Sequence, residues 1–313
     1  VFTFIAHRLL SAVPVLATVA VVVFLMLRLT PGDPAAVIAG DTATTQQVAE
    51  IRGKLGLDKP ILQQFVIWAG RGLRGDLGES FFFKKPVSEL ITQRIEPTLS
   101  LALATIVLAV LIAVPLGVLA AQRAGSLLDR CLMGFSVLGF SVPVFVIGYL
   151  LIYVFAVKLN LLPVQGYRRI AEDIYDWAIH LVLPSLTLAV IFVALIARMT
   201  RASVIEVLTE DYIRTARAKG LTRRVILIRH ALRNAAIPIV TVIGLGIALL
   251  IGGVVVTESV YNIPGLGRLT VDAVLAHDYP VIQAIILLFS FAYVLINLLI
   301  DLTYSFFDPR IRY

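Results

Sequence analysis

Residues 234–257 read NAAIPIVTVIGLGIALLIGGVVVT, 24 consecutive residues without an Asp, Glu, Lys or Arg. As an α-helix at about 1.5 Å per residue this stretch is about 36 Å long, enough to cross a hydrocarbon core of about 30 Å. A helix is also the form that satisfies its own backbone polar groups where no water is present. Five more uncharged runs of comparable length flank it: Leu9–Leu27, Pro97–Gln122, Cys131–Val157, Trp177–Ala197 and Tyr279–Ile300. Together the six runs hold 139 of the 313 residues, so all 47 charged residues fall in the other 174. That density, 27%, is ordinary for water-exposed protein. One such run suits the core of a soluble protein, but six do not. The alternating segments of about ten residues that mark a β-barrel are absent.

The composition agrees: 59% hydrophobic, 15% charged, mean hydropathy +0.94. A soluble enzyme, a disulfide-stapled secreted domain and a disordered chain are excluded. The first run has 19 residues and is followed by Arg28, so it reads as a retained helix and not as the shorter core of a signal peptide. The single Cys131 precludes an internal disulfide. The reading is an all-α membrane protein with six transmembrane helices, at about 9–28, 98–122, 131–157, 177–197, 236–257 and 280–302. Pro115 and Pro143 are expected to bend the second and third spans.

Six spans place both termini on one side. With the termini inside, the inner segments 1–8, 123–130, 198–233 and 301–313 hold 14 basic and 6 acidic residues. The short outer segments hold 4 basic residues, so the bias predicts cytoplasmic termini. The net charge of +7 then reflects the inner leaflet and cytosolic partners. No aromatic residues interleave with the basic loop, which argues against nucleic acid.

Residues 31–96 read as a small folded extracytoplasmic insertion after helix 1. Thr30-Pro31-Gly32-Asp33-Pro34 predicts a turn. A threonine of Thr44-Thr45 can cap a short amphipathic helix that Gly56 can end. A second helix starts at Asp58-Lys59-Pro60, with Ile61, Phe65 and Trp68 on one side, and Gly70, Gly72 and Gly75 are expected to break it. Phe81-Phe82-Phe83 reads either as a strand or as an interfacial anchor. His180, Asn297 and Asp301 lie near span ends, and charges deep in a span, which a proton pump or ion-coupled carrier uses, are missing. Ser141, Thr187, Ser290 and Asn297 supply polar groups for a path or for helix–helix hydrogen bonds.

The inner loop 198–235 is the most informative segment. Thr209 reads as an N-cap, Glu210 and Asp211 fall in a first turn, Arg217 and Lys219 in a last one, and Gly220 follows. The predicted helix, 210–219, is about 15 Å long and cannot be stable alone. Thr222 can cap a second helix bearing Arg223, Arg224, Arg229, His230 and Arg233. Such a loop rests on its own bundle beside lipid headgroups, or it docks into another protein.

Arg214-Thr215-Ala216-Arg217-Ala218-Lys219-Gly220, leading to Ile237-Pro238, resembles the EAA loop of permease subunits in binding-protein-dependent ABC importers. Arg214 and Thr215 stand where that pattern has Glu and Ala, while Ala216 and Gly220 match it. The dipeptide/oligopeptide/nickel branch is also resembled by Pro31-Gly32-Asp33-Pro34, Gly56-Leu57-Asp58-Lys59-Pro60, Arg74-Gly75-Asp76-Leu77-Gly78, Gly139-Phe140-Ser141-Val142-Pro143, Tyr261-Asn262-Ile263-Pro264-Gly265-Leu266-Gly267 and Asp308–Tyr313.

The resemblance implies a type I importer permease fold in a bacterial cytoplasmic (inner) membrane. It implies a homologous second permease, two ATP-binding subunits and an extracytoplasmic solute-binding protein as partners. ATP and magnesium are expected in the ATPase subunits. This chain, which lacks a G-x-x-x-x-G-K-[ST] loop, is expected to bind no cofactor or metal and to catalyse no covalent step. Glu210, Arg214, Thr215, Ala216, Lys219 and Gly220 are the expected ATPase-coupling residues. Ser141, Pro143 and Asn297 are the expected pathway residues. The implied cargo is a di- or oligopeptide, with nickel, glutathione or another small solute as the alternative. An ion-gradient-driven carrier and a membrane-embedded hydrolase are the rival classes, and neither accounts for the EAA-like loop.

Overall fold

The computed structural model describes residues 2–29, 33–40 and 43–307, so the Thr30–Gly32 part of the expected turn and the Asp308–Tyr313 motif lie outside the described residues. Regular structure among the described residues is helical, apart from one isolated bridge between Glu79 and Pro86. Among the described residues five helices are long and apolar enough to cross a membrane, six if the bent pair Leu127–Ser141 and Val144–Lys158 counts as one span. The chain divides into two compact units, Val1–Glu96 with Arg268–Leu295, and Pro97–Gly267 with Ile296–Tyr313.

The first unit holds α1 (Phe2–Arg28), α2 (Pro34–Ala39), α3 (Thr45–Leu55) and α4 (Ile61–Leu73). Thr44 and Gln47 form the reciprocal capping box of α3, and Gly56 closes it in the left-handed conformation at φ 65°. α4 runs through Gly70 and Gly72 and ends only at Arg74, contrary to the sequence expectation. Glycine weakens a helix by about 1 kcal/mol but does not by itself end it, and α4 is held from outside. Phe65 and Trp68 stack on Phe24 of α1 at centroid distances of 5.2 and 5.6 Å, and Arg28 Nε donates to Gln64 Oε1 at 2.9 Å. Of the predicted face, Ile61 is exposed.

Phe81–Phe83 form a turn, not a strand. The buried Asp278 carboxylate decides this by accepting from Ser80 Oγ, from Phe81 N at 3.3 Å and from Phe82 N at 3.2 Å. Phe83 N donates to Ser80 Oγ at 2.8 Å, and the turn leaves Phe82 exposed.

The core of the second unit is built on α8 (Ile174–Leu208), which is the most buried of the membrane-length helices. α5 (Val87–Gln122) starts ten residues before its apolar run and enters this unit at Pro97. A Cβ placed on Gly117 of α5 would lie 2.6 Å from the Ala197 carbonyl oxygen and 2.7 Å from Thr200 Cβ, so only glycine permits this approach. Gly117→Ala should therefore destabilise the protein by about 1–3 kcal/mol through overpacking. A lowered thermal midpoint of the detergent-solubilised protein is the measurement, and an unchanged midpoint would refute the close contact.

The third apolar run bends at Pro143, sharply enough to break into two helices. α6 (Leu127–Ser141) and α7 (Val144–Leu151), which continues into a π-helical segment Ile152–Lys158, diverge by 105°. Val142 is extended, at φ −93° and ψ 125°, because the ring of Pro143 excludes the helical region for the residue before it. α11 (Ala236–Val260) and α13 (Tyr279–Phe307) supply the remaining long helices, with α12 (Leu266–Leu275) between them. Gly244 of α11 lies directly against the Ile300 side chain.

Candidate functional site: the 198–235 loop and its supports

α8 does not stop at Ala197 but continues to Leu208, absorbing the first eleven residues of the expected loop. Thr209 is the C-cap of α8 and its hydroxyl donates to Glu206 O at 2.6 Å, so it is not the N-cap of the helix that follows. The next helix, α9 (Asp211–Ala218), starts from an extended Glu210, and no side chain caps it. Its acidic first turn and basic last turn still complement the dipole.

The C-terminus of α9 is closed by a complete Schellman motif. Gly220 N donates to Arg217 O at 3.0 Å, Leu221 N donates to Ala216 O at 3.3 Å, and Gly220 sits at φ +80°. A Cβ on Gly220 would meet nothing within 4 Å, so the requirement for glycine is conformational and not steric.

Eight residues of helix need a seat. Ile213, fully buried, and Ala216, 7% exposed, pack with Ile226 and Leu208 into a small apolar cluster of their own. Ile226 belongs to the next segment, a short α10 (Arg223–Val225) that passes into a π-helical turn, Ile226–Leu232. Thr222 stands at its N-cap without a side-chain hydrogen bond. Asn234 Nδ2 donates to Tyr212 Oη at 2.6 Å and ties α9 to the far end of that segment.

The outward face of α9 carries the rest of the predicted set. Glu210, Arg214, Thr215, Lys219 and Gly220 are exposed, together with Arg217. Arg214 pairs with Asp211 at 3.2 Å on this open surface, a contact of little energetic weight. Thr215 Oγ1 donates back to Asp211 O at 3.1 Å. Ala216 differs from the others: it faces the bundle, so it seats the helix and does not contribute to the exposed face.

Ser141 and Pro143 are both exposed at the α6–α7 break, and Ser141 Oγ donates to Val137 O at 2.9 Å. Asn297 is half-buried on α13, one turn before Ile300. The first two are therefore brought together by the break, and Asn297 belongs to a separate helix. His180 is partly buried, with Nδ1 2.7 Å from Asp176 O.

Two supports were not anticipated from the sequence. Asp129, in the first turn of α6 before the apolar run begins, accepts two hydrogen bonds from the Arg201 guanidinium, one of them from Nη2 at 2.7 Å, and a third from Gly125 N at 2.9 Å. These three hydrogen bonds satisfy a carboxylate that is buried in the fold. The other support is Glu258, fully buried at the end of α11. Thr98 Oγ1 donates to Glu258 Oε1 at 2.6 Å and accepts from Leu266 N at 2.8 Å. Side chains on Gly265 or Gly267 would collide with this carboxylate or with Val255, which explains both glycines of the Tyr261–Gly267 motif. Tyr261 Oη reaches Thr187 Oγ1 at 2.8 Å and donates to Gly148 O at 3.2 Å. For Glu258 the signal available in the sequence was an acid directly at the edge of an uncharged run; Asp129, beside Arg130, carried no such mark.

Residues 113–313 match the family described as the inner membrane component of binding-protein-dependent transport systems, and residues 1–102 match that family's N-terminal membrane component. The chain is 56% identical over 310 residues to a probable peptide ABC transporter permease protein of Sinorhizobium fredii, covering 99% of each. It is 46% identical, again over 99% of each, to a glutathione transport system permease protein of Escherichia coli. An inward-facing structure of a methionine ABC transporter aligns with a TM-score of 0.58 and 20% identity, covering 70% of this chain and 96% of that one. At that identity the likeness is one of fold.

Proposed function

This chain belongs to the inner membrane components of binding-protein-dependent transport systems, and from that premise we propose that it is one of two permease subunits of an ATP-driven importer of short peptides. The peptide cargo is supported by the two relatives, since glutathione is itself a tripeptide. In this reading a homologous second permease completes the pathway and both termini are cytoplasmic. A solute-binding protein delivers the peptide to the outer side, where the 31–96 insertion and the 258–278 segment receive it. Two ATP-binding subunits, which hold ATP and magnesium, dock on the inner side.

The observation that carries the reading is the seating of α9. Its apolar side is taken up by Ile226 and Leu208, while Arg214, Arg217 and Lys219 are left as an exposed cationic face. A helix that served only to cover its own bundle would not need an exposed charged face held in place by a Schellman closure at Gly220. Docked in a cleft of an ATPase subunit, α9 would be displaced when nucleotide binding closes that subunit. Thr209 and Glu210 are the only residues between α9 and α8, so the displacement would pass directly into the central helix. Ser141, Pro143 and Asn297 are assigned to the peptide path.

The test is uptake of a labelled dipeptide into proteoliposomes containing this chain with its partner permease, ATPase subunits and binding protein. Uptake should require internal or external ATP on the ATPase side and survive a protonophore. Uptake that persists without ATP and fails with the protonophore would replace the reading with an ion-coupled carrier. Bulky replacement of Ser141, Pro143 and Asn297 together should reduce peptide uptake by roughly tenfold, about 1.4 kcal/mol in the barrier. Unchanged uptake would remove these three from the path.

A further inference from the structure

α6 and the inner half of α8 make contact at three levels. At the cytosolic end Asp129 is clasped by Arg201. Further in, Ser136 Oγ, almost fully buried, lies 2.9 Å from Leu132 O and 3.2 Å from Ala194 O. Next to the break, a Cβ on Gly139 would lie 3.2 Å from Ala194 Cβ and 3.5 Å from Val190 O. Positions rise along α6 as they fall along α8, so the two helices are antiparallel and in continuous register. A charge clasp, a buried hydroxyl and a glycine contact all resist sliding, and close-packed interfaces rearrange between discrete states without deforming smoothly.

Residues 190–208 of α8 contain no Gly or Pro. α6 contains no Pro, and of its two glycines Gly139 is held against Ala194 and Val190 while Gly134 faces open space. Beyond α6 the chain breaks at Val142–Pro143 and turns by 105°. Beyond α8, Thr209 and Glu210 lead straight into α9.

Resting on the docking role proposed for α9, we infer that α6 and the inner half of α8 travel as one rigid arm during transport. Asp129 and Arg201 are the positioning residues that lock α6 to the helix bearing α9. Val142–Pro143 is the joint at which this arm meets the remainder of the third span. Displacement of α9 thereby reaches the Ser141–Pro143 break through a solid pair of helices.

A disulfide tests this. Gly139 and Ala194 are placed so that Cys at both positions brings the Cβ atoms to within a few tenths of an ångström of the usual bridged separation. In the complete transporter, on a Cys131→Ala background, G139C/A194C is oxidised in the membrane with a permeant oxidant. A rigid arm predicts that the oxidised transporter takes up peptide within about twofold of its reduced form, because the bond joins parts that do not move apart. Asp129→Asn keeps an acceptor for Gly125 but loses the charge clasp. It should lower uptake by roughly fivefold while ATPase activity is retained, and oxidation of G139C/A194C in the Asp129→Asn protein should restore at least about half of the loss. Loss of uptake on oxidation that is reversed by reduction would overturn the arm, as would a failure of the disulfide to rescue Asp129→Asn. Absence of ATP-dependent peptide uptake in the transporter carrying only Cys131→Ala would overturn the transport reading instead, which separates the two.

Discussion

Ala216→Arg should leave the chain in the membrane at near wild-type abundance and lower peptide uptake by more than roughly tenfold, a loss of coupling worth over about 1.4 kcal/mol. The reason is the seat of α9. Ala216 is 7% exposed, in the cluster with Ile213, Ile226 and Leu208. A guanidinium there must either be buried without a partner, at a cost of several kcal/mol, or lift the helix off its support. Lifting is the lower-cost outcome, because an eight-residue helix has little stability of its own. The spans are unaffected, so insertion is kept while the docking proposed for the ATPase subunits would lose its positioned contact.

Gly220 offers a graded companion. Gly220→Ala imposes only the left-handed backbone penalty of about 1–2 kcal/mol, since nothing surrounds the new methyl group. Gly220→Asp adds a negative charge at the negative end of the α9 dipole, a further loss of about 0.3–1 kcal/mol. Uptake should therefore fall in the order wild type, Gly220→Ala, Gly220→Asp. Co-purification of the ATPase subunits and solute-stimulated ATP hydrolysis are the readouts beside transport. Normal values of all three in Ala216→Arg and Gly220→Asp would remove α9 as the coupling element.

The second large effect is expected at Glu258. Its carboxylate is fully buried, accepts from Thr98 Oγ1 and fills the space left by Gly265 and Gly267. Glu258→Ala removes the acceptor and opens a cavity where three segments meet. Loss of a hydrogen bond to this group together with the unsatisfied Thr98 hydroxyl costs on the order of 3 kcal/mol, and the thermal midpoint and the membrane level of the protein should both drop. Glu258→Gln keeps the shape and an acceptor oxygen and should lie much closer to wild type. Equal stability of Glu258→Ala and wild type would show that the buried network holds nothing together.

The long apolar helices, the helical class, the capped α3 and the short helix of the 198–235 loop were all legible in the residues. Each depends on a local property: the length of an uncharged run, a Thr followed three residues later by Gln, or a glycine that can take φ near +80°. Physics of that range acts between residues a few positions apart, and a sequence displays it directly. Gly220 is the clearest case, since its role is set by its own backbone.

The parts that were misread or missed depend on neighbours far along the chain. Gly70 and Gly72 stay helical because Phe65 and Trp68 are pinned on Phe24. Phe81–Phe83 is a turn because a carboxylate almost 200 residues away accepts its amide protons. Thr209 is drawn into the end of α8 because that helix runs eleven residues past the apolar core. Asp129 finds Arg201, Glu258 finds Thr98, and Ala216 turns inward against Ile226, none of which any spacing in the chain announces. A polar group taken out of water must be matched by whichever partner the fold delivers, and that partner is chosen by how the helices assemble, not by the residues on either side.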